Sequence, residues 1–123
     1  MAGFARQVSA AAHGDGDEVA AGILREAGSE LGLLGVHIAR QLLPHHEGTL
    51  SVALAGGVAA AGPALLEAFA HEISSADPRF RQAEPLYPPV VGALLLAAGL
   101  AGTRMDEGAL ASVAGVVHNV YKQ

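Results

Sequence analysis

The sequence predicts a helix-rich α/β fold with two strands, and two kinds of pattern support this prediction. Long stretches place apolar residues at steps of three and four, which is typical of amphipathic helices. Between them lie short apolar runs that end at glycine or proline, which is typical of buried strands. After a short N-terminal helix, the elements follow one another as helix, strand, helix, strand, helix, helix. A strand–helix–strand unit of this kind normally forms two parallel strands of one sheet.

The first part of the chain predicts a short helix over residues 2–12 and a long helix over residues 17–43. Residues 14–17, Gly-Asp-Gly-Asp, break the two apart, and both Asp15 and Asp17 stand where a capping side chain belongs. The long helix carries one apolar stripe, which we expect to be its buried face: Val19, Ile23, Leu24, Ala27, Leu31, Leu34, Ile38 and Leu42.

The rest of the chain predicts two strands and three helices. Residues 50–55 form a buried strand that Gly56 and Gly57 close, and residues 79–84 form a weaker strand. Between them, Pro63 opens a helix over residues 63–75. Its buried stripe is Leu65, Leu66, Phe69, Ala70 and Ile73. Residues 90–100 form a buried helix, and a last helix begins at Asp106 with an apolar face of Leu110, Val113, Val117 and Val120.

The composition argues against several classes of protein. The net charge is −5, whereas non-specific nucleic-acid binding needs a basic face. The chain has no cysteine, which excludes disulfides and thiolate metal sites and suits a cytoplasmic protein. Of two apolar stretches, residues 50–70 are broken by glycines and a proline. Residues 89–102 are shorter than the roughly 20 residues that a spanning helix needs. We expect no nucleic-acid and no membrane partner.

Patterns for metals and nucleophiles are weak. A calcium loop that began at Asp15 would need an oxygen ligand and a glycine where Val19 and Ala20 stand. The adjacent His45 and His46 have no second pair of ligands at zinc spacing, and the other histidines are scattered. No Gly-x-Ser-x-Gly motif marks a nucleophilic serine. The sequence therefore predicts no metal ligand and no catalytic residue.

The strongest local signal for a ligand is the pair Gly56-Gly57 at the end of the first predicted strand. Glycines let the backbone approach a flat ligand closely, and the helix that follows offers free N–H groups at its start. The alternative is a tight strand-to-helix turn without a ligand. The pair belongs to neither the Rossmann nor the Walker pattern, so the residues alone leave both interpretations open.

Three segments in the same order and spacing resemble one family of enzymes, the N-acetylglucosamine kinases. Residues 2–6, 11–12, 16–17, 23 and 27–28 are similar to the connecting-helix region of these kinases. Residues 54–58 (Leu-Ala-Gly-Gly-Val), continued to Phe69, resemble their adenosine motif. Residues 88–93 and Ala97 resemble the helix that closes their C-terminal lobe. The family is grouped with the BadF/BadG/BcrA/BcrD-type ATPases, in the superfamily of actin, hexokinase and the heat-shock chaperones.

This resemblance covers residues 2–102 and implies both a fold and a site. It implies that residues 1–104 form part of the C-terminal lobe of an actin-like ATPase, a ribonuclease H-like fold. Residues 105–123 follow the matched segments, and their own apolar pattern predicts a helix that packs on this lobe. It also implies ATP as the cofactor. The residues it places near adenine and ribose are Gly56, Gly57, Val58 and Ala61, and it places Gly16 and Asp17 near the nucleotide.

The phosphate loops, the catalytic aspartate and the sugar-binding residues of the family have no counterpart in this sequence. The resemblance therefore implies the nucleotide-binding C-terminal part of an ATP-dependent sugar or amino-sugar kinase. Mg²⁺ and sugar would be bound by other segments, and this chain would be inactive alone. Two alternatives are an activator-type ATPase, which would need cysteines for an iron–sulfur cluster, and a non-enzymatic α-rich interaction module. Two strands leave apolar faces bare, so self-association is expected.

Overall fold

A computed structural model describes residues 2–121, which contain five α-helices and two short parallel strands. The chain divides into two compact units, Met1–Glu84 and Pro85–Gln123. The first unit contains helix α1 (Ala2–Ala10), helix α2 (Glu18–Leu42), strand β1 (Leu50–Val52), helix α3 (Pro63–Ala76) and strand β2 (Phe80–Gln82). The second contains helix α4 (Pro89–Leu100) and helix α5 (Glu107–Tyr121). The predicted helix-rich α/β class with two strands is confirmed.

Strands β1 and β2 pair in parallel, with Leu50 opposite Phe80, and α3 connects them. The prediction of a buried strand over residues 50–55 is wrong in extent and in burial. The strand has three residues, and along residues 50–55 half-buried side chains alternate with exposed ones. A sheet of two strands is covered on one face only, so every second side chain points away from the core.

Helix α2 begins and ends within one residue of its predicted bounds. The carboxylate oxygen Oδ1 of Asp17 accepts hydrogen bonds from the backbone N–H groups of Val19 (2.8 Å) and Ala20 (3.2 Å), which makes Asp17 the N-cap. Helix α1 ends at Ala10, earlier than predicted, because a π-helical turn, Ala11–Asp15, follows it. Gly16 ends that turn with a φ of 68°.

The predicted buried stripe of α2 is wrong for most of its residues, although Ala27 and Leu31 are half-buried. The buried residues lie at steps of four and most of them are small: Ala20, Leu24, Gly28, Gly32 and Val36. Leu24 is the one residue of the predicted stripe that is buried. Val19 is 74% exposed, and Ile23, Leu34, Ile38 and Leu42 are exposed as well. The face of α2 that packs is the one with small side chains, which lets α3 approach closely. The prediction chose the face with the bulkiest apolar side chains instead.

Two glycines form that close contact between α2 and α3. The backbone carbonyl of Leu65 stands where a Cβ on Gly28 would be, and a Cβ on Gly32 would lie 2.7 Å from the Cβ of Glu72. Both helices also contribute to the core cluster of Val36, Phe69, Ile73 and Phe80. The buried stripe of α3 matches its prediction, since Leu65, Phe69 and Ile73 are buried and Leu66 and Ala70 are half-buried.

In the second unit, α4 is not the buried helix that the sequence predicts. Val91 is its buried residue, whereas Leu96 is 73% and Leu100 is 91% exposed. The sequence of α4 is apolar all round, so its pattern cannot indicate how many of its sides are covered. Helix α5 contacts α4 and is capped by Asp106, whose Oδ1 accepts from the Ala109 N–H at 2.7 Å.

On the predicted apolar face of α5, Leu110, Val113 and Val117 are half-buried. Val120 lies outside the residues whose side chains the structure describes. The grouping of residues 1–104 as one segment, with the last helix packed on it, stays a prediction. Within residues 2–121, no helix combines the length and the apolar character needed to cross a lipid bilayer.

Candidate functional site

The turn after β1 has a backbone that requires glycine at its first position. Gly56 has φ 84° and ψ −163°, a conformation that residues with a side chain rarely adopt. Gly57 does not have a positive φ, so the backbone requires glycine at Gly56 only. Residues Gly57–Ala60 then form a single 3₁₀ turn.

Open space lies beside both glycines. A Cβ built on Gly56 or on Gly57 would meet no atom within 4 Å beyond the neighbouring residues, so the Cβ side of each glycine is open. The side chain of Val58 is 44% exposed and borders the same turn. This segment of backbone is therefore accessible to a ligand that approaches closely.

The turn follows the carboxyl end of β1, and the end of β2 is adjacent because the Ala83 N–H donates to the Val52 carbonyl at 3.0 Å. In open parallel sheets, ligands bind outside the carboxyl ends of the strands. Helix α3 starts close by in the chain, with Gly62 as its N-cap and Pro63 as its first residue. A glycine cap supplies no side-chain acceptor to the first N–H groups of the helix.

The turn is neutral and mostly apolar. Residues 53–62 read Ala-Leu-Ala-Gly-Gly-Val-Ala-Ala-Ala-Gly, without a charged side chain. A triphosphate needs cationic side chains or a metal ion to balance its charge, and this segment offers neither. A purine and a ribose need flat apolar contact and hydrogen bonds to the backbone. The composition of the turn therefore suits the nucleoside part of a nucleotide.

The N-terminal segment contacts this turn, and no pattern in the turn's own sequence indicates the contact. Ser9 Oγ donates a hydrogen bond to the carbonyl oxygen of Ala61 at 2.8 Å, and His13 Nε2 lies 3.2 Å from the same oxygen. The sequence pattern gives His13 no partner, because it is one of the scattered histidines. Ser9 and His13 are four residues apart, which places them on one face of a helix, and this spacing is the signal that could have found them.

Gly16 and Asp17 follow His13 closely in the chain, and each has a structural role where it stands. The positive φ of Gly16 ends the π-helical turn, and the carboxylate of Asp17 caps α2. The other four predicted site residues, Gly56, Gly57, Val58 and Ala61, share one short segment with Ala61 held from α1. The predicted position of Gly16 and Asp17 near a nucleotide stays a prediction.

The strongest ion pair lies at the opposite end of the sheet, before β2. Arg79 Nη2 donates to Asp77 Oδ2 at 2.7 Å. The hydrogen bonds from the Arg79 guanidinium and backbone N–H lower the pKa of Asp77 to about 2. Arg79 also donates to the His46 carbonyl, and Arg40 donates to the Ala76 carbonyl at 2.8 Å. The Arg79 contact ties the loop after α2 to the start of β2, and the Arg40 contact ties α2 to the end of α3, so both serve the fold.

Among the described residues, no three side chains of histidine, aspartate or glutamate are grouped so that they could hold a metal ion. No family model matches the chain, and neither a curated protein nor a solved structure matches it. The candidate site is thus characterised by its own geometry. It is a glycine turn at the carboxyl end of a parallel strand, open beside Gly56 and Gly57 and free of charge.

Proposed function

We propose that the turn from Gly56 to Ala61 binds the adenosine part of ATP. The observation that carries this proposal is the open space beside Gly56 and Gly57, at the carboxyl end of β1. A Cβ at either position would occupy that space, so glycine keeps the backbone accessible to a flat ring. The sequence resemblance to the adenosine motif of N-acetylglucosamine kinases, which includes these two glycines, supports the same assignment.

In this proposal the chain is part of the C-terminal lobe of an actin-like, ribonuclease H-like ATPase domain, in a cytoplasmic sugar or amino-sugar kinase. The parallel unit of β1, α3 and β2 is compatible with such a lobe. The phosphates, Mg²⁺ and the sugar would be bound by segments other than the neutral turn. We therefore expect no phosphorylation of N-acetylglucosamine by the 123-residue chain, measured in a coupled assay with ATP and Mg²⁺.

Because the turn is neutral, a binding experiment can distinguish nucleoside recognition from phosphate recognition. The ¹⁵N-labelled chain is titrated with adenosine, AMP, ATP and tripolyphosphate, each with and without Mg²⁺, and amide shifts are followed by NMR. Adenosine, AMP and ATP should bind with similar affinity and shift the amides of Gly56, Gly57 and Val58. Tripolyphosphate should shift none of these amides, and Mg²⁺ should have little effect, because the turn has no charge to offer the phosphates.

Two results of the titration would contradict the proposal. One is a response to tripolyphosphate as strong as the response to ATP, which would place the binding on phosphate. The other is that the amides of the turn do not respond to adenosine. The amides of Gly99 and Gly102, which lie in the second unit, serve as an internal control for non-specific effects.

A second candidate function, a non-enzymatic interaction module, is favoured by a different observation. The first unit exposes Ile23, Leu34 and Ile38 on α2, and the second exposes Leu96 and Leu100 on α4. Apolar side chains grouped on a surface commonly mark an interface with another protein. A chain that associates through α2 and ignores adenosine would support this candidate over nucleotide binding. The activator-type ATPase has no such support, because the sequence contains no cysteine.

A further inference from the structure

Two side chains from the N-terminal segment converge on one backbone oxygen of the candidate site. Ser9 Oγ donates to the Ala61 carbonyl at 2.8 Å, and His13 Nε2 lies at 3.2 Å from it. A carbonyl oxygen only accepts, so Nε2 of His13 is the nitrogen that carries the hydrogen in this contact. The contacts join parts of the chain that are 52 and 48 residues apart.

Local backbone geometry brings the two donors to the same point. Ser9 lies in the last turn of α1, and His13 lies in the π-helical turn Ala11–Asp15. Residues four apart lie on the same side of a helix, so both side chains reach Ala61 together. Isolated π-helical turns are rare and are frequently found at functional sites.

Gly62 completes the contact from the other side. The imidazole of His13 occupies the position that a Cβ on Gly62 would take, and its Cε1 lies 3.0 Å from that position. Gly62 also has a φ of 105°. Glycine is thus required here both for its backbone conformation and for the room that it leaves to His13.

The turn itself has few contacts that would hold it in one conformation. Its internal hydrogen bonds run from the Ala59 N–H to the Gly56 carbonyl (3.2 Å) and from the Ala61 N–H to the Val58 carbonyl (3.0 Å). Most of its side chains are methyl groups, which offer little surface for packing. A turn of this kind loses conformational entropy when it binds a ligand, and that loss weakens binding unless the turn is already ordered.

We propose that Ser9 and His13 are positioning residues that order the turn from Gly57 to Ala61 through the Ala61 carbonyl. The ordering of the turn is a property of the ligand-free chain. Its consequence for affinity rests on the proposed adenosine function. The coupling is reciprocal by thermodynamic linkage, so adenosine bound at the turn also stabilises the contact of the N-terminal segment.

The test combines hydrogen exchange without ligand and adenosine affinity in the full chain. The variants are Ser9→Ala, His13→Phe, which keeps a ring over Gly62 but removes the donor, and the double variant. The conservative variants Ser9→Thr and His13→Gln keep a donor. The matched control is Ser74→Ala with His71→Phe, a serine and a histidine on α3 whose contact stays within the helix, from Ser74 Oγ to the His71 carbonyl.

We expect the double variant to exchange the Ala59 and Ala61 amides roughly tenfold faster, since each lost hydrogen bond weakens the closed turn several-fold. Amides at the contact of α2 with α3 should keep their rates, which shows that the fold is intact. Ser9→Thr and His13→Gln, which keep a donor, should exchange these two amides at the rates of the parent. The control variant should do the same. If the parent binds adenosine, the double variant should bind it roughly tenfold more weakly.

Unchanged exchange at Ala59 and Ala61 in the double variant would overturn the inference, whatever the ligand does. Faster exchange with unchanged adenosine affinity would also overturn it, since the two residues would then order a turn without effect on binding. If the parent binds no adenosine, the proposed function fails, and the exchange measurement alone still decides whether Ser9 and His13 order the turn.

Discussion

Gly28 of α2 lies against the backbone of Leu65 in α3, so closely that the carbonyl oxygen of Leu65 fills the place of a Cβ at position 28. The same helix contains Gly22, where a Cβ would meet no atom within 4 Å. The two glycines of this helix therefore differ in whether a larger residue could replace them. The first allows α3 to approach, and the second leaves its space to solvent.

We expect Gly28→Ala to destabilise the fold by about 1–3 kcal/mol, because the added methyl group overlaps backbone that cannot rotate away. Gly22→Ala should instead stabilise it by up to about 1 kcal/mol, because alanine is the better helix former. Urea unfolding followed by circular dichroism measures both. If Gly28→Ala stabilised the chain as Gly22→Ala does, the close contact between α2 and α3 would be wrong.

This contact explains why the bounds of α2 were predictable and its buried face was not. The bounds follow from local signals, namely the capping carboxylate of Asp17 and the proline after Leu43. The buried face depends on how near a partner helix comes, which no pattern within α2 expresses. Because Gly28 and Gly32 allow a close approach, the small residues are covered, and bulky ones such as Ile23 remain exposed.

Asp17 provides a separate test, which concerns its role as the N-cap of α2. Asp17→Ala should destabilise the chain by about 0.5–2 kcal/mol, because the hydrogen bonds to the N–H groups of Val19 and Ala20 are lost. Asp17→Asn keeps a capping oxygen and should have a much smaller effect. Asp15→Ala is the control, since Asp15 does not cap α2. Equal destabilisation by Asp15→Ala and Asp17→Ala would contradict the assignment of the cap.

Asp77 should make stability depend on pH in the acid range. Its pKa falls from an ordinary value of 3.8 to about 2 in the folded chain, because Arg79 donates hydrogen bonds to its carboxylate. A lowered pKa stabilises the fold above the unfolded-state value, and this contribution is lost as the pH falls from near 4 through about 2. Asp77→Asn should therefore be less stable than the parent near neutral pH.

The difference in stability between Asp77→Asn and its parent should shrink as the pH falls below about 4 and vanish once the pH lies below about 2. Urea unfolding across this range measures it, with Arg79→Met as the matched variant that removes the partner. In the Arg79→Met background, Asp77→Asn should have a smaller effect near neutral pH. A constant difference at all pH values would show that the carboxylate does not titrate as its contact with Arg79 requires.

The exposed stripe of α2 predicts self-association of the chain. Ile23, Leu34 and Ile38 are exposed along one helix, and covering them would remove apolar surface from water. We expect sedimentation to show concentration-dependent association of the parent and weaker association of Ile38→Glu. Gln41→Glu adds the same charge to the same helix without removing an apolar side chain, and should associate like the parent. A parent that sediments as a monomer at all concentrations would contradict this prediction.

For the candidate site, the sequence indicated the turn but not the residues that hold it. Gly56 and Gly57 stood out because glycines at a strand end have a physical meaning even without tertiary contacts. Ser9 and His13 act through the backbone carbonyl of Ala61, and any residue type at position 61 would supply the same atom. A contact between a side chain and a distant backbone carbonyl leaves no pattern in the sequence around the acceptor. The structure was therefore needed to identify it.

We propose that adenosine binds the turn after β1 at the open side of Gly57, and a pair of valine variants tests this directly. Gly57→Val adds a side chain where no other atom lies within 4 Å, and Gly57 does not have a positive φ, so the fold should tolerate it. Ala60→Val is the matched control, because it places the same side chain in the same 3₁₀ turn at an exposed position that is not one of the four proposed contacts, Gly56, Gly57, Val58 and Ala61. Thermal unfolding of both variants checks that the turn remains folded.

The decisive measurement is the dissociation constant for adenosine and ATP, determined by titration calorimetry on the parent, Gly57→Val and Ala60→Val. We expect Gly57→Val to weaken binding at least about tenfold, or about 1.4 kcal/mol, and Ala60→Val to bind like the parent. A folded Gly57→Val that binds adenosine as tightly as the parent, or a parent that binds no adenosine, would contradict it.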